Sequence, residues 1–201
     1  MSCLGINMYD VEWTVKRTTT PSTYPVTLEE VKSHCRIDGE DEDSTLLAYI
    51  AAATQQAELI CDRQLMTATY ELRLDAFPDV IRLPKPPCQS VTSIAYVDSA
   101  GTTQTLSASN YSVDTFHEPA RIIPAYGAVW PTTRGMQNDV IVTYEAGYAS
   151  ASAVPKNLKL GIIHLVAHWF ENREPVSDGS MKSLPWVSEE LIRSHWHGHI
   201  W

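Results

Sequence analysis

The sequence lacks the arrangements of cysteine that hold together zinc-binding domains or small secreted proteins. Its four cysteines, Cys3, Cys35, Cys61 and Cys88, are widely separated, and no two of them form a CxxC pair. Zinc ribbons need closely spaced cysteines, and disulfide frameworks are typical of short chains rich in cysteine. We therefore expect free thiols in a reducing compartment.

Long apolar runs and a secretory leader are also missing. No segment approaches the roughly 18 consecutive apolar residues that a membrane-spanning helix needs. The N-terminal stretch MSCLGINMYDVEW has no basic start followed by an apolar core, which a signal peptide would show. We expect a soluble protein that is made in the cytoplasm and does not contact a membrane.

Positive charge is scarce. Fifteen Lys and Arg residues oppose 24 Asp and Glu residues, and the net charge is −9 over 201 residues. The average surface should repel phosphate, so this composition argues against a protein that grips DNA. The hydrophobic share of 44% is enough to bury one substantial core.

Common catalytic motifs are absent too. The chain contains no GxSxG nucleophile turn, no GxxxxGK[ST] phosphate loop and no GxGxxG dinucleotide turn. The acidic stretch DGEDEDS at 38–44 lacks the glycine and the terminal glutamate of a calcium-binding EF-hand. It is better interpreted as the solvated start of a helix, and no cofactor is expected.

Hydrophobic periodicity predicts three main helices, at 27–36, 43–63 and 155–172. Thr27 and Glu30 have the spacing of a capping box at the start of the first helix. Pro175 should end the third. Between the second and third helices the period changes to two, which predicts an antiparallel β module at 65–146 with about five to seven short strands.

The predicted fold class is therefore α+β. A small bundle of two N-terminal helices and one long C-terminal helix carries the inserted β module. Residues 1–25, rich in Thr and Pro, are predicted as an extended arm, with ordered structure beginning only after Pro25. Residues 26–175 form the folded domain. Residues 176–201 are predicted as a tail with one brief helix at 187–195.

The segment HLVAHWFENREPV, residues 164–176, raises the possibility of a metal-dependent enzyme. His164 and His168 are one turn apart, and Glu171 could supply a third ligand. A zinc-protease helix needs His-Glu-x-x-His, however, and Leu165 stands where the glutamate should be. The alternative is a packing helix whose apolar stripe the two histidines flank. His195, His197 and His199 could hold adventitious nickel or copper, and we expect no physiological metal there.

Tryptophan is concentrated in the tail. Trp186, Trp196 and Trp201 fall within the last 16 residues. Aromatic side chains in so short a segment would be exposed in a lone subunit, and such residues commonly anchor protein interfaces. The alternative is that they fold back onto the protein's own core.

The order of several motifs resembles the head–tail connector (adaptor) proteins of long-tailed bacteriophages and prophages. The resemblance covers residues 24–176 and is specific as a set rather than motif by motif. It rests on the segments PVTLEEVKSHCRID, DSTLLAYIAAA, PPCQSVTSI, YEAGY and HWFENRE.

This resemblance implies a structural protein without catalytic residues. Proteins of the family form a dodecameric ring under the portal of the capsid, and DNA passes through the ring to the tail without sequence-specific binding. The implied partners are further copies of the chain, the portal protein and the next neck or tail protein. The implied location is the neck of a virion assembled in the bacterial cytoplasm. A tail-completion (stopper) protein is the nearest alternative.

The resemblance also implies roles for particular residues. The C-terminal segment of similar adaptors docks on the portal, and we expect this tail to become ordered when it binds. An acidic bore would let DNA slide through, and the third helix would pack in the core or at the subunit seam. The residues so assigned are Leu184, Trp186, Leu191, Trp196, Ile200 and Trp201 for the portal; Asp38, Glu40, Asp41, Glu42 and Asp43 for the channel; and Leu165, Val166, Trp169 and Phe170 for the core or seam.

Overall fold

The structure is a computed structural model that describes residues 11–172 and 186–196. These residues form two compact units. The helical unit contains 21–66, 148–172 and 186–196, and the β unit contains 11–20 and 67–147. Each unit has a hydrophobic core of its own.

The helical unit contains four helices, α1 to α4. They are α1 Leu28–Cys35, α2 Asp43–Cys61, α3 Lys156–Glu171 and α4 Trp186–Arg193. The β unit contains eight strands. They are β1 Trp13–Arg17, β2 Ala68–Leu74, β3 Ile81–Arg82, β4 Cys88–Val97, β5 Thr103–Thr105, β6 Tyr111–Asp114, β7 Arg121–Pro124 and β8 Val140–Ala146.

Local sequence signals explain the helix ends. The Thr27 hydroxyl accepts from the Glu30 amide at 3.1 Å, and the Glu30 carboxylate accepts from the Thr27 amide at 2.8 Å, which is the predicted capping box. Helix α2 ends at Cys61, two residues before its predicted end, because Asp62 adopts a left-handed conformation with φ of 53°. Aspartate tolerates this conformation better than most residues do.

All strand pairs within the two sheets are antiparallel, as predicted. The larger sheet has the order β1-β2-β8-β4-β5, and the smaller has the order β3-β7-β6. Strands β2 and β8 alternate strictly between buried and half-buried residues, so one face of each strand lies on the core. The segment 103–123 contains one short 3₁₀ turn, Ala108–Asn110, and no α-helix. The predicted α+β fold with an inserted antiparallel module is confirmed.

The prediction that ordered structure begins only after Pro25 is wrong. Strand β1 pairs along its whole length with β2, from Trp13 opposite Leu74 to Arg17 opposite Tyr70. The hydroxyl and amide of Thr18 extend this pairing to the carbonyl of Thr69. Trp13 and Val15 alternate with Thr14 and Lys16, but so short a run does not identify a strand by itself, because its extended conformation depends on a partner strand distant in the sequence.

The chain leaves and re-enters the helical unit at neighbouring points. Met66 and Tyr148 form an isolated parallel bridge, and the Tyr148 amide donates to the carbonyl of Leu65 at 3.2 Å. Nearby, the Glu58 carboxylate accepts from the Gln64 side chain at 2.6 Å and from the Leu65 amide at 3.1 Å. These bonds fix the end of α2.

None of the helices in the described residues is long and apolar enough to cross a membrane.

Candidate interaction surfaces

Helix α3 is the centre of the helical core. Leu165 and Val166 are fully buried, so they pack inside the subunit itself. Trp169 and Phe170 are half-buried against the same core, and the Trp169 ring meets Tyr49 of α2 edge to face with centroids 6.2 Å apart. The apolar stripe predicted from sequence thus points into the core, and its last turn reaches the surface.

The two histidines of α3 have different surroundings. His164 meets His34 of α1 edge to face, with ring centroids 5.1 Å apart. Burial first, and then the neighbouring His34, lowers the pKa of His164. One turn later, Asn172 donates to the backbone carbonyl of His168 at 2.9 Å. Within 11–172 and 186–196, no three His, Cys, Asp or Glu side chains converge on a position that could hold a metal ion. His197 and His199 lie outside these ranges.

Three thiols lie within the described residues, and none is activated. Burial raises the pKa of Cys61 and of Cys88 to about 11 in each case. Burial, together with the charge of Glu171, also raises the pKa of Cys35. A nucleophilic or metal-binding cysteine needs a lowered pKa, because the thiolate is the reactive form. These thiols are therefore packing residues.

The acidic stretch before α2 divides into an exposed part and an anchored part. Asp38, Glu40 and Asp41 are exposed, while Glu42 is half-buried as the N-cap residue of α2. Asp43, the first residue of α2, forms an ion pair with Lys32 of α1 at 2.6 Å. The Lys32 ammonium also donates to the carbonyl of Gly39. Three of the five acidic residues therefore present their charge to solvent in this subunit.

Helix α4 is packed on α3, which corrects the expectation that the tail becomes ordered only when it binds. Ser188 and Ile192 are buried in the helical core. They approach α3 at Gly161, where a Cβ atom would lie 2.8 Å from Ile192 Cγ1 and 3.3 Å from the Ser188 carbonyl. Only glycine allows the two helices to come so close.

A second contact holds the end of α4. The Arg63 side chain donates from Nε to the carbonyl of His195 at 2.7 Å. A cation at the C-terminal end of a helix also interacts favourably with the helix dipole. Helix α4 is thus a fourth member of the bundle, and sequence reasoning missed this because Gly161 looks like an ordinary helix interruption.

The side of α4 away from the core is exposed and carries Trp186 and Val187 together with the charged residues Glu190 and Arg193. Trp186 is 76% exposed, Val187 48% and Trp196 54%, whereas Leu191 is half-buried. Trp186 and Trp196, the two tail tryptophans that the structure describes, are therefore not part of the protein's own core. The other residues assigned to this surface, Leu184, Ile200 and Trp201, lie outside the described residues.

The β unit carries a further exposed aromatic that sequence reasoning did not single out. The Asp114 carboxylate accepts from the Phe116 amide at 3.0 Å, the His117 amide at 3.3 Å and Arg121 Nε at 2.9 Å. This network shapes the β6–β7 turn and leaves the Phe116 side chain fully exposed. The spacing of Asp114 and Arg121 around a Pro-containing turn was the available signal.

Part of the chain is similar to a known protein family. Residues 25–119 match the family model of the phage gp6-like head-tail connector proteins. This stretch is thus similar to a gp6-like head-tail connector domain. The match begins just before α1 and includes α1, α2 and strands β2 to β6. The sequence-based prediction of a head-tail connector is confirmed, and the stopper and metalloenzyme alternatives are not favoured.

Solved structures extend the likeness of this connector over nearly the whole chain. One is the neck of an empty gene transfer agent particle with C6 symmetry, which is 26% identical, covers 94% of this chain and 97% of the other, and has a TM-score of 0.74. The virion of a native gene transfer agent particle is 25% identical, with coverages of 93% and 97% and a TM-score of 0.72.

A third structure shows the same fold. It is the neck of a native gene transfer agent particle with C12 symmetry, 23% identical, with coverages of 94% and 97% and a TM-score of 0.68. Among curated proteins no match was found. The fold is therefore shared over most of the chain with proteins of particle necks.

Proposed function

We propose that this protein is a structural subunit of the neck of a tailed phage or phage-like particle, where copies of it form a ring between capsid and tail. The observation that carries this proposal is the connector-family match at residues 25–119, together with a likeness to neck structures over 94% of the chain. The proposed role is structural; burial raises the pKa of the three described thiols, which disfavours thiolate chemistry at these positions.

The ring contains identical copies arranged head to tail. Support comes from the C6 and C12 symmetry of the necks that contain similar chains. Head-to-tail contacts close into a ring when the rotation between neighbours divides a full turn evenly. Twelve copies fit both symmetries, since sixfold symmetry is contained in twelvefold symmetry. The free protein should be monomeric until a template sets this rotation.

Portal binding belongs to α4 and the residues around it. Trp186 is exposed at the start of α4, and Trp196 is exposed three residues after its end, while Ile192 and Arg63 fix the helix in place. A fixed helix presents its anchors without a large ordering cost on binding. We therefore propose that Trp186 and Leu191 on this preformed helix, with Trp196 just after it, contact the portal, rather than a tail that folds on contact. Leu184, Ile200 and Trp201, which we assign to the same surface, lie outside the described residues.

The exposed acidic residues Asp38, Glu40 and Asp41 face the DNA channel in this proposal. Their charge is unpaired by any described side chain, and it has the same sign as the phosphate backbone. A wall of like charge excludes DNA from close contact, so the DNA passes without being retained. Glu42 and Asp43 lie at the base of the same loop and contribute less, because Asp43 already pairs with Lys32.

A reconstitution experiment tests the proposal. Purified protein is mixed with tailless capsids that bear the portal, and with matched capsids that lack it, and both samples are imaged by electron cryo-microscopy. We expect ring-shaped density with sixfold or twelvefold symmetry next to the portal of the first sample only. Binding to both samples alike, or to neither, would contradict the neck assignment.

A further inference from the structure

Every exposed residue of α2 is uncharged. The helix runs through 19 residues, and its exposed positions are Ser44, Leu47, Ala48, Ala52, Gln55 and Leu59. Leu59 is 72% exposed and Leu47 is 44% exposed. We call these six residues the α2 outer face. In a chain with 24 acidic and 15 basic residues, four helical turns without an exposed charge are unusual.

Both carboxylates of α2 have hydrogen-bond or ion-pair partners within the helical unit. Asp43 pairs with Lys32 at 2.6 Å. Glu58 is half-buried and accepts from the Gln64 side chain and the Leu65 amide, within the connection that follows the helix. The buried side of α2, which includes Leu46, Ile50 and Ala57, faces the opposite way into the helical core. No exposed residue of α2 therefore carries a charge.

The size of the side chains suits contact with another subunit. Ala48, Ala52 and Gln55 follow one another at spacings of four and three residues, so they lie in one row along the helix. Small residues in such a row allow an opposing element to approach to the 8–10 Å distance of packed helices. Leu59 and Leu47, at the two ends of the face, would then lose their exposure to water.

The net charge of the chain indicates that the α2 outer face packs against a second copy of this chain. Each copy carries a net charge of −9, so identical subunits repel one another wherever charged surfaces meet. An uncharged face removes this repulsion at the point of closest approach. A head-to-tail ring needs two different patches on each subunit, one toward each neighbour, and the α2 outer face meets the requirements for one of them.

The area of the face fits assembly on a template. From Ser44 to Leu59 the helix advances about 22 Å, and with a width of about 10 Å the face offers roughly 200 Å². A stable complex needs about 800 Å² from each partner. This face is therefore too small to hold two free copies together, but it can contribute to a seam once the portal has brought the copies side by side.

We propose that the α2 outer face is a subunit–subunit seam of the ring, in which it packs against a different surface of the neighbouring copy. The inference deepens the proposed neck function and rests on it. The portal protein and the next neck protein are the competing occupants, and the experiments below distinguish them from a second copy.

The first experiment compares Ala52→Arg with Ser33→Arg in the reconstitution with portal-bearing capsids. Arginine is nearly as good a helix former as alanine, so both variants should remain folded monomers with wild-type melting temperatures. Ser33 is exposed on α1, outside the α2 outer face. A buried charge without a partner is costly, so the protein concentration needed for half-occupancy should rise at least about tenfold for Ala52→Arg only.

The outcomes separate the seam from the neck function. If wild-type protein forms no ring at the portal, the neck function itself fails. If wild type forms a ring and Ala52→Arg assembles equally well, the neck function stands and the seam is wrong. Equal loss in Ser33→Arg also overturns the seam, because the effect would then not be specific to this face.

The second experiment identifies the occupant directly. A photoreactive benzoylphenylalanine replaces Gln55, and assembled particles are irradiated. We expect a cross-linked product of twice the 22.4 kDa chain mass, formed at the portal-bearing capsids and not in free protein. A cross-link to the portal protein or to another neck protein, with no product between two copies, would overturn the assignment.

Discussion

The rings of His34 and His164 meet edge to face with their centroids 5.1 Å apart, which joins the end of α1 to the middle of α3. Among the described residues, no third His, Cys, Asp or Glu joins these two rings in a group that could hold a metal ion. Burial first, and then the neighbouring His34, disfavours the charged form of His164. The contact therefore makes the helical unit sensitive to acid.

The first prediction concerns this sensitivity. The pKa of His164 is lower in the folded protein than its ordinary value of 6.5, so the unfolded chain binds more protons between the two values. Stability should therefore rise with pH through this window and fall as the pH drops from about 6.5 through the folded pKa. Urea unfolding between pH 5 and 8 measures the effect.

His164→Gln is the matched variant, because glutamine is polar and does not titrate. Its stability should depend less steeply on pH than that of wild type, although carboxylates still contribute at the acid end. Identical pH profiles for the two proteins would show that the contact has no effect on protonation.

The second prediction tests the close approach of α3 and α4. Gly161→Val adds atoms where Ile192 Cγ1 already lies 2.8 Å from an ideal Cβ position. Overpacking of this kind should lower the free energy of unfolding by about 1–3 kcal/mol. The double variant with Ile192→Ala should lose less than the sum of the two single changes, because the removed side chain makes room. Strict additivity in denaturant titrations would show that the helices do not meet at this point.

The third prediction separates the two sides of α4. Ile192→Ala should cost about 2–5 kcal/mol of stability, since its side chain is fully buried. Trp186→Ala, at a position 76% exposed, should change stability by no more than about 0.5 kcal/mol. Deletion of residues 178–201 removes Ile192 together with the tryptophans. The deletion should therefore destabilise the helical unit. If the tail were unfolded before binding, the same deletion would leave the stability of the helical unit unchanged.

The portal role of the same helix is the fourth prediction. Trp186→Ala and Trp196→Ala together should abolish docking on portal-bearing capsids, because each anchor commonly contributes about 2 kcal/mol or more. The melting temperature should stay close to wild type, which distinguishes lost docking from unfolding. Ring formation at wild-type occupancy by this double variant would remove α4 from the portal interface.

The fifth prediction concerns the acidic loop. Replacing Asp38, Glu40 and Asp41 by lysine should slow DNA ejection, because a basic bore retains the phosphate backbone. Asp79→Lys is the control, as Asp79 is exposed in the β unit and far from this loop in sequence. Particles are scored for the rate of DNA release at two salt concentrations, since the retention should weaken as salt rises. An unchanged rate would put the loop on the outside of the ring.

Features coded by neighbouring residues were predictable from the sequence. The capping box at Thr27 and Glu30, the alternation of β2 and β8 and the apolar stripe of α3 each depend on residues a few positions apart. The early end of α2 was not predictable, because the left-handed conformation of Asp62 is one of several that aspartate accepts.

Features that depend on distant partners were missed. Strand β1 is held by residues about fifty positions away, as in the bond from Thr18 to Thr69. The buried side of α4 is defined by Gly161, which has no signature beyond its lack of a side chain. The α2 outer face was not predicted, because the sequence alone does not show that Ala48 and Ala52 lie on the exposed side of the helix.

The bridge between Met66 and Tyr148 has a consequence for how such proteins can diversify. The chain leaves the helical unit at Met66 and returns to it at Tyr148, beside the point of departure. The segment between these residues therefore starts and ends at neighbouring positions. Its length can grow, shrink or be exchanged for another sequence without changing the distance that α2 and α3 must span. The segment between residues 67 and 147 could thus be replaced to suit a different tail, while the helices keep their place in the ring.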